Sequence, residues 1–330
     1  MQASLSGLLV VAMRSISRER IAVYGASTIL AIVWTLFAGK DIPWDALHYH
    51  LYAGYSIFHN RLAIDYFPAS PQTYFSPYAH APLFLMVSAG WPPMMIGAAF
   101  ACLQAVALWL TFEVARAVSR DARGQSPRMV TWGAVALAFA NPVFLQALGS
   151  SFVDITTGTL ALAGYAALVN AYHGMRNERV SMAGVLLGMA AALKMSNAIF
   201  SLAPALLLVM GSAHNWRERV RGLLLFAAFA ALALALISGS WAWDLWKAFK
   251  NPFFPMMEGL FNPTVAVGVS SAGLPPASST LQNLLGAIDS VRDPRFLPSS
   301  ITEALTRPFD LLAAKRSLHT ETMAADARYA

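Results

Sequence analysis

The chain has 330 residues, of which 57% are hydrophobic and only 12% charged, with a formal net charge of +6 and a mean hydropathy of +0.52. A soluble domain typically carries about 25% charged residues to keep its surface wet. The deficit here excludes an ordinary soluble fold and points to a bilayer, which needs long apolar runs with internally satisfied backbones.

The positive charge lies in arginine clusters that fall between hydrophobic runs, so membrane topology accounts for it and no nucleic-acid role follows. The single cysteine, Cys102, lies inside an apolar run, which leaves no disulfide framework and no thiolate metal site. In chain order, residues 1–20 place their arginines (Arg14, Arg18, Arg20) after the short apolar stretch Leu8 to Met13. That order is the reverse of a secretory signal, and the segment reads as a cytoplasmic lead into the first span.

Hydropathy predicts an all-α polytopic bundle with about seven spans. They cover Ile21 to Ala38, Met94 to Val118, Met129 to Leu148, Phe152 to Tyr172, Met182 to Asn197, the short Ile199 to Gly211, and Leu223 to Trp241. The transmembrane module is thus residues 21–243, with a large outer loop at 40–91. Within that loop, Ala46 to Asn60 predicts an interfacial amphipathic helix, and Ala81 to Ala89 is an apolar piece too short to span. Residues 244–330 turn rich in proline, glycine and serine. They predict an outer-side tail with short helices at Leu281 to Val291 and Ile301 to Lys315.

The arginines order these spans. Arg116, Arg120, Arg123 and Arg128, then Arg176 and Arg179, then Arg217, Arg219 and Arg221 fall on the side of the N-terminus. Gly149 to Ser151 and the Asn197 junction carry no lysine or arginine, and the first loop has only Lys40 and Arg61. Under the positive-inside rule the N-terminus is cytoplasmic and the loop lies outside.

The polar residues of that outer side are the candidates for chemistry. The loop opens with two carboxylates, Asp41 and Asp45, followed by His48, Tyr49 and His50. Acids, imidazoles and tyrosines at a water–lipid boundary suit acid–base work, or equally an aromatic interfacial belt. His48 and His50, at i and i+2, fall on different faces of a helix and do not form the i, i+4 pair that favours a shared metal. Asp154 begins the fourth predicted span, where a carboxylate also suits a helix N-terminus. Lys194 sits near the outer end of the fifth; it can snorkel, or it can meet a phosphate.

These residues resemble motifs of the membrane-embedded GT-C glycosyltransferase superfamily, which contains the protein O-mannosyltransferases and the lipid A aminoarabinose transferases. Asp45 to Tyr49 matches an Asp-x-x-x-Tyr pattern in the loop after the first span. Tyr74 to Leu83 (YFSPYAHAPL) looks like a Tyr-x-x-Pro-x-x-x-x-Pro-Leu stretch, and Asp154 resembles the second acid at a later span. Gly184 to Pro204 (GVLLGMAAALKMSNAIFSLAP) is similar to a Gly-Leu run with a lysine before a proline-containing span. Asn251 to Pro255 (NPFFP) and Asp293 to Phe296 (DPRF) resemble uncharacterised bacterial members.

The resemblance implies a bacterial inner-membrane transferase that moves a sugar from a polyprenyl-phosphate donor to a glycan, lipid or protein acceptor outside. It makes Asp45 the general base, with Asp41 and Asp154 as further acids. Lys194 becomes the phosphate partner, and Tyr49, His48, His50, Tyr74 and His80 line the substrate site. Some members use a divalent metal there, for which His48, His50 or His80 are the available ligands; no metal or other cofactor is assigned. Members usually carry more spans, often with a soluble domain, so a chain stopping at Ala330 is expected to be truncated. Two other classes compete: a lipid or solute transporter, which would place its polar groups near the midplane of repeated broken helices, and an inactive membrane scaffold.

Overall fold

The structure is a computed structural model, which describes residues 18–39, 45–59, 61–62, 64–65, 68–120, 126–171, 177–212, 215–261, 300–303 and 306. Asp41 and the predicted helix at 281–291 lie outside the described residues, as does most of 301–315.

Three long helices form the frame. Helix α1 (Arg18–Ala38) leads to the loop, where a π-helical turn at Ala46–His50 runs directly into α2 (Leu51–His59). A short extended piece, Pro68–Pro71, and single 3-10 turns at Gln72–Tyr74 and Tyr78–His80 bring the chain to α3 (Ala81–Ser88). Helix α4 (Pro93–Val118) starts on Pro92-Pro93, where a proline in the first turn costs nothing because its missing N–H would be unsatisfied anyway. There follow α5 (Arg128–Phe139), α6 (Pro142–Ala147), α7 (Val153–Ala171) and α8 (Asn177–Leu193). A π-helical turn at Ala198–Leu202 then precedes α9 (Ala203–Ser212), and α10 (Trp216–Phe249) and α11 (Glu258–Phe261) complete the series.

The expectation of about seven spans is corrected. Among the described residues only α1, α4 and α10 are long and apolar enough to cross a membrane. The predicted span at 129–148 is broken after Phe139. Asn141 accepts hydrogen bonds from the Val143 and Phe144 amides, and Pro142 starts a new short helix, so neither piece reaches the ~20 residues a crossing needs. Helix α7 has the length, but Asp154, Thr156, Thr157, Thr159 and Asn170 dilute its apolar content. Helix α8 stops at Leu193, just before Lys194, and α9 has only 10 residues. Hydropathy summed over a window does not register the breaks that end α5 and α8.

Large apolar side chains face outward on the long helices, as they do at Leu137 and Leu207 of the shorter ones. Ile29, Val33, Leu36 and Phe37 on α1, and Leu224, Leu232 and Leu236 on α10, are exposed, as lipid-facing side chains would be. The 34 residues of α10 make a helix about 50 Å long, so it extends past the hydrocarbon. The shorter helices also pack together through a shared core. Ala161, Ala167, Leu168, Val180, Ala183, Leu187, Ala190, Ala205, Val209 and Phe226 form one core joining α7, α8, α9 and α10. A second core unites α1, α4 and α5 through Val23, Leu108, Phe112 and Val135.

The two ends of the bundle differ in chemistry. At the end where α1 begins and α4 finishes, Arg20 forms a two-pronged ion pair with Glu113, at 2.6 and 2.7 Å. At the opposite end, the short link between α6 and α7 is held by Gln104 of α4. Its side-chain oxygen accepts from the Gly149 amide at 2.7 Å and its Nε2 donates to the Ser150 carbonyl at 3.3 Å. Gly149 has φ +76, and a Cβ there would lie 2.3 Å from the Thr35 side chain. Only glycine combines that left-handed conformation with so close an approach. The link is thereby fixed with Ser151 against His50 of the loop after α1.

Candidate active site

The link carries Ser151, and Ser151 holds His50. The His50 ring is fully buried, and its Nδ1 lies 2.8 Å from Ser151 Oγ. His80, also buried, stacks on His50 with ring centroids 4.4 Å apart and planes 21° apart. Tyr49 meets both rings edge-on at 4.4 and 5.6 Å, and Phe152 closes the other side of His50 at 5.7 Å. The two histidines are 30 positions apart in sequence. The π-helical turn at Ala46–His50 points one inward, and the 3-10 turn at Tyr78–His80 supplies the other.

Burial sets their charge. His50 is pushed down to about 4, chiefly by desolvation; the Asp154 carboxylate opposes this and Lys194 adds to it. Desolvation likewise pushes His80 down to about 3, with His50 and Lys194 adding to it. Both imidazoles are therefore neutral at pH 7, each with one donor and one acceptor nitrogen. His50 Nε2 and His80 Nδ1 are buried without a hydrogen-bond partner among the described residues, a desolvation cost that the packing of the stack has to offset.

An unfolded histidine titrates near 6.5, so between that value and the folded values the unfolded chain binds more protons than the folded one. The pair thus costs no stability above pH 6.5 and destabilises progressively as the pH falls from 6.5 towards 4. The thermal midpoint of the detergent-solubilised protein is expected to fall across that window. In a His50→Gln, His80→Gln double variant the fall should be clearly shallower; equal slopes would show that the buried rings do not govern it.

Beside the imidazoles stand the charged groups. Asp45 opens the π-helical turn and makes no capping hydrogen bond with its side chain. Burial raises its pKa above the ordinary carboxylate value; His48 lowers it, Asp154 raises it and Lys194 lowers it. Asp45, Asp154 and Lys194 are therefore within electrostatic reach of one another. Asp154, in the first turn of α7, forms an ion pair with Lys194, the residue immediately after α8. An ammonium has three donors, so this pair leaves capacity for a further anion. The carboxylate is the more open partner, 60% exposed against 33% for the lysine side chain.

The structure thus brings together Asp45, Tyr49, His50, His80, Asp154 and Lys194, with His48 acting on Asp45 electrostatically. Tyr74 lies apart. Its ring is buried edge-on against Phe249 and Phe254, 5.0 Å from each, and its carbonyl accepts from Trp241 Nε1 at 3.1 Å. Those contacts fasten the loop to the end of α10, as does the Tyr78–Ser240 hydroxyl pair at 2.7 Å. Ser151 and Gln104 carry only a faint mark in the sequence: a glycine and two serines between apolar runs, and a lone amide in the middle of a span. Among the described residues no group of three or more His, Cys, Asp or Glu is arranged to hold a metal ion.

These features define an all-α protein with membrane-crossing helices and a polar, partly buried site at one end of the bundle. The sequence profile of Glycosyltransferase family 87 matches residues 77–275, more than half of the 330 residues. The chain belongs to this GT-C-like family and is a membrane-associated glycosyltransferase-family protein. Neither the protein O-mannosyltransferases nor the aminoarabinose transferases are singled out by the match. No curated protein and no solved structure gives a match. Of the candidate residues, His80, Asp154 and Lys194 fall inside the matched stretch, whereas Asp45 and the first histidines precede it.

Proposed function

We propose that the chain transfers a hexosyl or pentosyl group from a polyprenyl-phosphate-linked donor to an acceptor hydroxyl on a glycan, lipid or protein at the outer face of the membrane. The observation that supports this most is the grouping of a burial-perturbed carboxylate, Asp45, with the Asp154–Lys194 ion pair and two neutral imidazoles. The acceptor oxygen attacks the anomeric carbon as its proton passes to Asp45. The bond from that carbon to the phosphate oxygen breaks, and polyprenyl phosphate leaves with the electron pair, giving inversion. Lys194 neutralises the charge that grows on the leaving phosphate, which matters most in a partly desolvated site. Tyr49, half-buried at the edge of the His50–His80 stack, offers its ring to the sugar, and the two buried imidazoles hold it there, with His48, Asp41 and Asp154 as secondary contributors.

Orientation follows from charge. With α1, α4 and α10 as the spans, Arg18 and Arg20, then Arg116 and Arg120, then Arg217, Arg219 and Arg221 all fall at one end. The positive-inside rule makes that end cytoplasmic in a bacterial inner membrane and turns the site outward.

The test is transfer from a labelled polyprenyl-phosphate sugar by the full chain reconstituted in vesicles, compared with Lys194→Gln. Loss of a charge-assisted contact of about 1.5–3 kcal/mol predicts a drop in kcat/KM for the donor of roughly ten- to a hundredfold. Transfer undiminished in the variant would remove Lys194 from the phosphate, and movement of intact lipid without sugar transfer would favour a transporter instead.

A further inference from the structure

At the end of the bundle opposite the candidate site, the start of α1, the end of α4 and the start of α5 enclose a pocket of about 300 Å³. It is lined by Glu19, Phe112, Arg116, Arg120, Ser126, Arg128 and Thr131. The structure assigns to this pocket a site for the phosphate of an anionic phospholipid headgroup.

Its electrostatics point that way. Of the three arginines, Arg120 forms no ion pair among the described residues. Arg128 reaches Glu19 only at 3.6 Å with a side chain that is 84% exposed. Arg116 touches Glu113 through Nη2 at 3.3 Å, but Glu113 is already engaged by both prongs of Arg20. Arg116 Nε is buried with no hydrogen-bond partner among the described residues. A buried guanidinium N–H without an acceptor is costly, so Arg116 brings unmet donor capacity to the pocket wall. The hydroxyls do not compete for this role. Ser126 donates to the Arg116 carbonyl at 2.7 Å and Thr131 to the Arg128 carbonyl at 3.0 Å, which fixes the pocket wall.

The positive-inside rule alone would place arginines at this end. It does not require three of them to converge on one cavity, nor one donor to be buried and unmet. The surroundings favour a lipid over free phosphate. Val118, Met129 and Val130 are exposed apolar residues at the pocket's margin, and Trp132 is partly exposed beside Glu19. Acyl chains would lie along that rim while the headgroup enters between the helices, as basic pockets between spans commonly allow.

Native mass spectrometry of the full chain in detergent, titrated with phosphatidylglycerol or with phosphatidylcholine of the same acyl chains, tests the assignment. One phosphatidylglycerol should be retained per chain in strong preference to phosphatidylcholine. Because Arg120 and Arg128 are exposed, Arg120→Gln and Arg128→Gln should leave thermal unfolding unchanged while each weakens retention about fivefold. Arg116→Gln should weaken it further. A control pair at the same end but outside the pocket, Arg217→Gln with Arg221→Gln, should leave retention unaltered. Equal retention of the two lipids, an equal loss in the control pair, or displacement of phosphatidylglycerol by millimolar inorganic phosphate would each overturn it.

Discussion

Replacing Asp45 with Asn is expected to lower sugar transfer by about a hundred- to ten-thousandfold, the contribution typical of a positioned general base, while leaving the fold intact. The asparagine matches the aspartate in shape but cannot take a proton. Asp45 makes no capping hydrogen bond, so the π-helical turn loses no structural contact. Burial raises the carboxylate's pKa in the folded chain, which means the charged form is slightly disfavoured there and its removal should leave the thermal midpoint unchanged or raised. The same perturbation has a kinetic signature. The wild-type rate should fall as the pH drops through a value above that of an ordinary aspartate, because the base must be deprotonated to act. Asp45→Glu should retain part of the activity with the same acid limb. Measured rates in proteoliposomes between pH 4 and 8 decide the point: substantial transfer by the asparagine variant would end the assignment of Asp45 as base. A lower midpoint accompanying the loss would mean a structural role instead.

The long helices were legible because length and apolarity alone define them: α1, α4 and α10 begin and end within a few residues of the hydropathy runs at 21–38 and 94–118 and around the run at 223–241. Helices α5, α6, α8 and α9 pass for spans because a sliding average runs over single residues that end a helix, whereas α7 falls short through its own polar residues. Asn141-Pro142 and the Lys194-Met-Ser-Asn197 break are invisible to it, yet they set the lengths of α5, α6 and α8. The arginine clusters stay at one end all the same, because the four segments that do not cross amount to two complete out-and-back pairs. At the site, Asp154 and Lys194 stood out because each is a lone charge at the tip of an apolar run. The His50–His80 stack did not, since nothing local couples residues 30 positions apart and the π-helical turn departs from the 3.6 period on which face assignments rest. Tyr74 was read through a motif. Its environment in the structure is an aromatic clasp with Phe249 and Phe254, which themselves stack at 4.0 Å, and sequence spacing does not foretell such a long-range contact.

Substituting Gly184 and Gly188 of α8 together by Ala is expected to destabilise the protein by about 2–6 kcal/mol, from roughly 1–3 kcal/mol for each overpacked position. That is a large share of a typical total of 5–15 kcal/mol. A Cβ at Gly188 would lie 2.4 Å from the Ala230 carbonyl oxygen and 2.8 Å from its Cα; one at Gly184 would lie 2.6 Å from the Phe226 carbonyl oxygen. These are backbone atoms of α10, so no rotamer change relieves the clash and the two helices must separate. Within a bilayer, helices gain little from hydrophobic burial against one another, and close packing of small residues carries much of their association. Separation therefore loosens the core that α8 shares with α10 while adding strain. It also reaches the site: α8 ends beside Lys194, and Ser238 of α10 donates to the Ala192 carbonyl at 2.7 Å, so splaying these helices moves Lys194 relative to Asp154. Gly158→Ala on α7 is the control, because a Cβ there meets nothing within 4 Å. That substitution should gain up to about 1 kcal/mol from helix propensity. Thermal unfolding in detergent should rank Gly158→Ala at or above wild type and the double variant far below it, with sugar transfer lost in the double variant even at temperatures where it remains folded. Equal midpoints for the double variant and wild type would show that α8 and α10 do not meet at these glycines.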